Sequence, residues 1–320
     1  MARIVRPRAF GDPDVLTVQN VDIPIPGTGE VVVRVRAAGV NPLDWKIYSG
    51  AFHEVDDDER DAAGLADALP LLGMDCAGIV TAVGPDVQGV AVGDEVIVYP
   101  VIGAYADYVT AAASSLIPKP ARLDWEEAGS LMLAGLTAAH ALHAADVRAG
   151  DTVLIHGGAG GVGLMAVQLA TDLGATVVAT ASTRNHDLLR RLGALPVAYG
   201  DGLASRVRAT APGGVDAAID TVGSDEALDV SLELVADPAR IASITGSDRR
   251  FGTGIRLLGY GPGQDAGTEY RNSVRAHLAE LAAIGRFRVI VSRTFPLTEA
   301  AEAHRLGQAG GSTGKIVLVP

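Results

Sequence analysis

Five of the seven residues at positions 157–163 are glycines, and Gly158, Gly160 and Gly163 have the spacing G-x-G-x-x-G. This spacing can bind the pyrophosphate of a dinucleotide, because glycine allows a turn at positive φ, a close approach of phosphate to the backbone and close packing of helix on strand. The phosphates then lie at a helix N-terminus, where unpaired N–H groups favour negative charge. A purely structural glycine turn can have the same spacing, so the flanking elements decide between a dinucleotide site and a structural turn.

A second group of residues could transfer protons. The segment Asn41-Pro42-Leu43-Asp44-Trp45-Lys46-Ile47-Tyr48-Ser49-Gly50 is typical of a turn that leads into a short helix. Tyr48 is the first candidate for a proton donor, followed by Lys46 and Asp44. The alternative is that these three side chains belong only to a solvated turn and the first turn of a helix.

The elements around the glycines favour nucleotide binding. An apolar run at 152–156 predicts a strand, and apolar residues at helical spacing from 164 to 170 predict a helix. Strand, glycine turn and helix together are the context that the glycine spacing requires. The predicted pyrophosphate contacts are Gly158, Ala159, Gly160, Gly161, Val162 and Gly163.

The wider pattern predicts an α/β fold with two domains. Residues 3–118 contain short β-rich runs separated by Gly and Pro, whereas strands and helices alternate after Pro118, which indicates a parallel sheet with helices on both faces. The predicted strands include 30–37, 77–83, 94–99, 104–110, 175–181, 215–220, 240–245, 289–292 and 315–319. The uncharged stretch 128–145 is rich in alanine and predicts a buried helix of a globular domain rather than a membrane span.

The end of the second strand of the parallel sheet bears on the choice of cofactor. NAD sites usually have a carboxylate about twenty residues past the glycines, but here the sequence is Thr-Ala-Ser182-Thr-Arg184-Asn. A hydroxyl and a guanidinium can hold the 2′-phosphate of NADPH, which a carboxylate would repel. Alternatively, Ser182 only caps the next helix and Arg184 is simply exposed.

Composition limits the classes of protein further. The 320 residues carry a net charge of −12, which argues against a nucleic-acid surface. Cys76 is the only cysteine, which fits a reducing cytoplasm, and no signal peptide is visible. An acidic run at 53–67 is expected to be a solvated loop or a mobile lid.

Several motifs together resemble one family. They are the glycine loop with its helix, the Asn41-Pro-x-Asp44 segment, Gly135-Leu-Thr-Ala-Ala and Gly314-Lys-Ile-Val-Leu. Over nearly the whole length the chain resembles the zinc-free quinone oxidoreductase branch of the medium-chain dehydrogenase/reductases. The resemblance implies a GroES-like domain at 1–120 that is completed by 266–320, a Rossmann domain at 121–265, and a cofactor in the cleft between them.

The resemblance also implies cofactor contacts beyond the glycine loop. Ser182, Arg184 and Tyr199 would contact the adenosine phosphate end, Thr137 and Asn41 would lie near the nicotinamide, and Ile244 and Thr245 would contact the carboxamide. Tyr199 and Thr137 could instead be packing residues, and Asn41 could only begin a turn. A homodimer is implied through the outer strand of the Rossmann sheet, for which 255–259 is the candidate.

Zinc-dependent relatives differ from this sequence at their metal ligands. They carry a cysteine near the start of the Asn41 segment, Gly-His-Glu where this chain has Gly73-Met74-Asp75, and four closely spaced cysteines that are missing here. His140 and His143 share a helix face, but core packing is the expected role for them. We therefore expect no metal site.

Without a metal, the expected reaction is hydride transfer from NADPH to a small quinone or α,β-unsaturated carbonyl compound. A quinone can take its proton from water, whereas an enone or enoyl thioester leaves an enolate that a nearby donor would help. The alternatives are an enoyl thioester reductase, a non-catalytic NADPH-binding protein of the crystallin or regulatory type, and a zinc alcohol dehydrogenase. Neither nucleic acid nor a membrane is an expected partner.

Overall fold

The computed structural model describes residues 1–51, 69–246 and 248–320. The acidic run 53–67 lies outside the described residues, so its predicted role as a loop or lid stays a prediction. The chain divides into two compact units: Met1–Leu133 with Val291–Pro320, and Ala134–Ile290.

The described strands are β1 (Ala2–Pro7), β2 (Leu16–Val21), β3 (Glu30–Val40), β4 (Cys76–Val83), β5 (Glu95–Val98), β6 (Tyr108–Ala112), β7 (Leu116–Pro118), β8 (Thr152–His156), β9 (Thr176–Thr180), β10 (Ala194–Val197), β11 (Ala217–Asp220), β12 (Ile241–Ser243), β13 (Arg256–Leu257), β14 (Val291–Pro296) and β15 (Lys315–Val319). The described α-helices are α1 (Pro42–Tyr48), α2 (Trp125–Gly129), α3 (Met132–Ala144), α4 (Gly161–Leu173), α5 (His186–Arg191), α6 (Leu203–Thr210), α7 (Asp225–Leu234), α8 (Thr268–Ala283) and α9 (Ala300–Gln308).

The first unit is built on a mainly antiparallel sheet. Its strand order is β14-β15-β3-β4-β5-β7, with β6 paired to β3, and β1 and β2 form a separate antiparallel pair. Strand β15, near residue 320, pairs with β3, so segments far apart in the sequence contribute to one sheet. Valines of β3 and β4 lie in the core of this unit together with Tyr48, Tyr105 and Phe295.

The second unit is a parallel sheet of order β10-β9-β8-β11-β12-β13. The order reverses between β8 and β11, and right-handed crossovers then place helices on opposite faces. The predicted doubly wound sheet is therefore confirmed. Ligands of such sheets bind at the carboxyl ends of the strands beside the reversal point.

Two elements differ from the sequence-based expectation. The predicted helix 128–145 is broken into α2 and α3 at Ser130, which has non-helical dihedral angles (φ −123°, ψ 12°), and the N–H of Leu133 in the first turn of α3 donates to Asp75 Oδ2. The predicted strand 104–110 is shifted to β6, because the N–H groups of Ala104 and Tyr105 donate instead to the carbonyl groups of Gly73 and Leu72. Helix α3 is largely buried, as expected.

The compact units also have other bounds than the expected 1–120, 121–265 and 266–320. Segment 121–133 belongs with the first unit, where the N–H of Leu133 donates to Asp75 Oδ2 at 3.1 Å. Helix α8 belongs with the second unit, where Leu278 packs against Gly135 and the ring of Tyr270 stacks on His143 at 4.0 Å between centroids. The chain returns to the first unit at Val291.

Among the described residues, no helix has the length and apolar character needed to cross a membrane.

Candidate functional site

The glycine loop joins strand β8 to helix α4, as the sequence predicts. Gly157 has φ +75°, and the N–H of Gly160 donates to its carbonyl oxygen at 3.0 Å, which closes the turn. The glycine at positive φ is thus Gly157 rather than a member of the G-x-G-x-x-G set. The turn begins one residue earlier than the spacing suggests, directly after the last residue of β8.

Two glycines of the set are required for packing. A Cβ on Gly163 would lie 2.1 Å from the carbonyl oxygen of Gly157, and a Cβ on Gly158 would lie 2.8 Å from the Cβ of Ala179 in β9. Both distances are shorter than any van der Waals contact. These positions therefore hold the helix against the loop and the loop against the sheet.

Gly160 is different, because its surroundings are open. The nearest atom to a Cβ added there is the carbonyl oxygen of Gly157 at 3.4 Å, and φ −75° with ψ 172° is accessible to any residue. Gly160 caps α4 and has no side chain to accept from the first N–H groups of the helix. The open space and the unpaired donors fit a pyrophosphate group.

Ser182 and Arg184 follow strand β9, next to the glycine loop in the sheet order. Ser182 occupies the N-cap position of a short 3₁₀ turn but makes no capping bond; its Oγ accepts instead from Asn185 Nδ2 at 3.3 Å. The Arg184 side chain is exposed. No carboxylate occurs between the end of β9 and Arg184, so this edge can accept a phosphate without like-charge repulsion.

The remaining predicted cofactor residues are spread along the sequence. Tyr199 follows β10 and is 61% exposed, so it is available for a ligand. Ile244 and Thr245 follow β12, and the N–H of Ile244 donates to the carbonyl oxygen of Asp220. Because β9, β8, β11 and β12 are consecutive in a parallel sheet, the residues after them share one edge. Thr137 lies half-buried in α3; its contact with a cofactor stays a prediction.

Asn41 is held inside the first unit. Its Nδ2 donates to the Gly39 carbonyl oxygen at 3.1 Å and to Asp75 Oδ1 at 3.0 Å, and its Oδ1 accepts from Lys315 Nζ. The amide therefore bridges a buried ammonium and a buried carboxylate. Burial raises the pKa of Asp75 and lowers that of Lys315. The structure supports a positioning role for Asn41, and the predicted cofactor contact remains a proposal.

Asp44 is fully buried rather than solvated. Its carboxylate accepts from the N–H groups of Asn41 and Gly73, both at 2.9 Å, and from the Tyr105 hydroxyl at 2.8 Å. Burial raises the pKa of Asp44 to about 6 against the opposing effect of these donors. Asp44 thereby ties α1 to the segments around Gly73 and Tyr105. Lys46 is exposed on the same helix.

The Tyr48 hydroxyl is the first donor in a buried chain of hydrogen bonds. Tyr105 donates to Asp44, so the Tyr105 oxygen accepts from His304 Nε2 at 3.3 Å, and His304 Nδ1 then accepts from Tyr48 at 3.0 Å. Burial lowers the pKa of His304 to about 4, which leaves the ring neutral, and burial also raises the pKa of Tyr48. The solvated turn expected as the alternative is wrong for Tyr48 and Asp44. The donor role of Tyr48 stays a prediction, although its geometry favours a structural one.

A Tyr48→Phe substitution separates these two roles. We expect single-turnover rates of enone reduction within about twofold of wild type, and a free energy of unfolding lower by about 1 kcal/mol, because His304 Nδ1 loses its donor. Stopped-flow kinetics and urea unfolding measure the two quantities. Slower enone reduction with unchanged quinone reduction would instead support the predicted role of Tyr48 as the proton donor.

Sequence reasoning missed His304, Tyr105 and the buried role of Lys315. They lie far from the Asn41 segment in the chain, and no local spacing links them to it. It also missed Arg250, which pairs with Asp220 at 2.7 Å inside the second unit. Within residues 1–51, 69–246 and 248–320, no three His, Cys, Asp or Glu side chains are grouped so as to hold a metal ion.

Comparison with known proteins agrees with this architecture. A family model described as alcohol dehydrogenase GroES-like domain matches residues 27–121, and one described as zinc-binding dehydrogenase matches residues 192–318. The chain is 32% identical to the quinone oxidoreductase of Sus scrofa over 98% of this chain and 97% of that protein.

Solved structures are similar over the whole chain. A mycobacterial structure complexed with NADPH is 30% identical, with a TM-score of 0.83 and full coverage of both chains. The CurK enoyl reductase is 27% identical, with a TM-score of 0.84 and 99% coverage of both chains. A GroES-like unit and a Rossmann unit in one chain define the medium-chain dehydrogenase/reductases, a class of oxidoreductases. Within that class, this chain belongs to the quinone oxidoreductase family.

Proposed function

We propose that the chain is an NADPH-dependent reductase that transfers hydride to a small quinone or α,β-unsaturated carbonyl compound without a metal ion. One observation carries the proposal. The open glycine Gly160 lies at the same sheet edge as a strand end that offers Ser182 and Arg184 and lacks a carboxylate. The mycobacterial structure complexed with NADPH supports the choice of cofactor.

The residues of this chain would bind and orient the cofactor. Bound NADPH supplies the hydride. The N–H groups at the start of α4 would hold its pyrophosphate, and Ser182, Arg184 and Tyr199 its adenosine phosphate end. Asn185 Nδ2 is the donor in its hydrogen bond with Ser182 Oγ. The serine hydroxyl can therefore donate its own hydrogen to a phosphate oxygen.

Turnover with a panel of acceptors tests the reaction. The chelator-treated protein is expected to oxidise NADPH when a quinone or an enone is the acceptor. With either acceptor, NADPH should be oxidised faster than NADH. Enoyl thioesters belong in the same panel, since the similarity to an enoyl reductase makes them the second candidate substrate. Saturable NADPH binding with no oxidation by any acceptor would favour a non-catalytic binding protein, and activity that requires stoichiometric zinc would favour an alcohol dehydrogenase.

Arg184→Ala tests the choice between the two coenzymes. We expect NADPH to bind about 10- to 100-fold more weakly, because a charge-assisted hydrogen bond to phosphate contributes about 1.5–3 kcal/mol. NADH binding should change little, since NADH lacks the 2′-phosphate. Dissociation constants from isothermal titration calorimetry measure both. The control is Arg191→Ala, an exposed arginine of the same segment, and equal losses for NADPH and NADH would refute the assignment.

We also infer a homodimer and a cytoplasmic location. β13 is the end strand of its sheet and lies in the predicted segment 255–259. Asp265 of the same chain pairs with the outer edge of β13 at Leu257 and Gly259, so a second copy would pair with the part of this edge before Leu257. Sedimentation measures the mass of the protein in solution and so distinguishes a monomer from a dimer.

The cytoplasmic location is inferred from the single cysteine, Cys76, which fits a reducing compartment. Its thiol is buried, and burial raises the pKa of that thiol.

A further inference from the structure

Asp220 lies at the carboxyl end of β11 and joins three segments of the second unit. Its Oδ1 accepts from the N–H groups of Val222 and Gly223, both at 2.9 Å. Its Oδ2 accepts from Arg250 Nη2 at 2.7 Å and from Ser243 Oγ at 2.9 Å. The carboxylate therefore links the turn after β11, the end of β12 and the segment that contains Arg250.

This pair is buried to a degree that charged groups rarely are. The exposed fraction is 1% for Arg250 and 2% for Asp220. Burial by itself would raise the pKa of Asp220, but the N–H donors of Gly223 and Val222 and the guanidinium of Arg250 hold it below its usual value. Arg250 also donates to the carbonyl oxygen of Ser224 at 2.9 Å. A desolvated pair stabilises a fold only weakly, so a role in fixing local geometry accounts better for its presence.

The geometry that the pair fixes is that of Ile244 and Thr245. Ser243 Oγ, bound to Asp220, accepts from the N–H of Thr245 at 3.3 Å, and the N–H of Ile244 donates to the carbonyl oxygen of Asp220 at 3.1 Å. Thr245 Oγ1 also lies against the turn at Gly223, where an added Cβ would be 2.6 Å away. The backbone after β12 is thus held from both sides by groups bound to Asp220.

We propose that Arg250, acting through Asp220 and Ser243, is a positioning residue for the nicotinamide half of the cofactor. The proposal rests on the proposed function, because it takes Ile244 and Thr245 as the carboxamide contact. Arg250 does not touch the cofactor in this scheme; it sets the backbone that does. Loss of Arg250 should therefore weaken interactions with nicotinamide and leave those with the adenosine phosphate end intact.

Comparing two ligands distinguishes the nicotinamide half of the cofactor from its adenosine phosphate end. NADPH contains both, and 2′,5′-ADP contains only the phosphorylated adenosine end. We expect Arg250→Met to weaken NADPH binding by about 10-fold or more, as for the loss of a charge-assisted hydrogen bond, and to reduce the fluorescence enhancement of bound NADPH. Binding of 2′,5′-ADP should stay within about twofold. Ser243→Ala removes one hydrogen bond to the Asp220 carboxylate but leaves its ion pair with Arg250, and should show the same selectivity at about 3- to 10-fold.

The control is Arg249→Met, at the residue before Arg250, which removes exposed ion pairs with Asp225 and Asp229. It should change the affinity for NADPH and for 2′,5′-ADP by no more than about twofold. If Arg250→Met does not fold, Ser243→Ala decides the question. Equal weakening of both ligands, or no change in either, would overturn the positioning role. A wild-type protein that bound 2′,5′-ADP and NADPH equally poorly would overturn the proposed function instead.

Discussion

A protein with Gly160→Ala is expected to fold like the wild type and to bind NADPH about 10- to 100-fold more weakly. The added methyl group meets no protein atom closer than 3.4 Å, and the backbone dihedral angles suit alanine. The methyl group would occupy the space through which the pyrophosphate approaches the first turn of α4, and overpacking of this kind costs about 1–3 kcal/mol. Calorimetric titration with NADPH and thermal unfolding measure the two effects.

Gly163→Ala, three residues away, is the matched comparison. Here the methyl group would lie 2.1 Å from the carbonyl oxygen of Gly157, so the loop must move even without a ligand. We expect a loss of about 3 kcal/mol in the free energy of unfolding together with loss of binding. If Gly160→Ala bound NADPH normally, the phosphate would not lie at Gly160. If both variants lost stability equally, the space around Gly160 would not be open in the free protein.

Lys315→Met is expected to destabilise the protein by about 3 kcal/mol. The lysine is 4% exposed, and its Nζ donates to the carbonyl oxygen of Val40 at 2.9 Å and to Asn41 Oδ1. Methionine fills a similar volume but leaves these acceptors unpaired and removes the positive charge that faces the buried carboxylates of Asp75 and Asp44. Urea unfolding at neutral pH measures the change.

Lys46→Met is the control for this substitution, since Lys46 is exposed. It should change the free energy of unfolding by no more than about 0.5 kcal/mol. Two variants of equal stability would mean that the buried ammonium is not needed to balance the carboxylates. Helix α1 and the Gly73 segment would then be held by the hydrogen bonds that Asp44 accepts from Asn41, Gly73 and Tyr105.

Local patterns in the sequence were sufficient for most of the fold. The strand at 152–156, the glycine turn and the helix after it were predictable because each has its own periodicity or steric signature. The break between α2 and α3 was not, because the first turn of α3 is bound to Asp75, a contact between distant parts of the chain. The shift of β6 has the same origin in hydrogen bonds to Gly73 and Leu72.

In the candidate site, too, local patterns were predictable and contacts between distant residues were not. The spacing of glycines indicated a phosphate site, but which glycine has positive φ depends on the exact end of β8. Residue type and place in the sequence indicate Tyr48 and Asp44 as proton-donor candidates, but they do not reveal that both side chains are buried. Their partners His304 and Tyr105 are brought to them only by the packing of the first unit.

The most direct test of the central claim is a crystal structure of the protein with NADPH. We expect pyrophosphate oxygens within hydrogen-bond distance of the N–H groups that begin α4, beside Gly160, and the 2′-phosphate against Ser182 and Arg184. A cofactor bound elsewhere, or a 2′-phosphate turned into solvent away from both side chains, would contradict it.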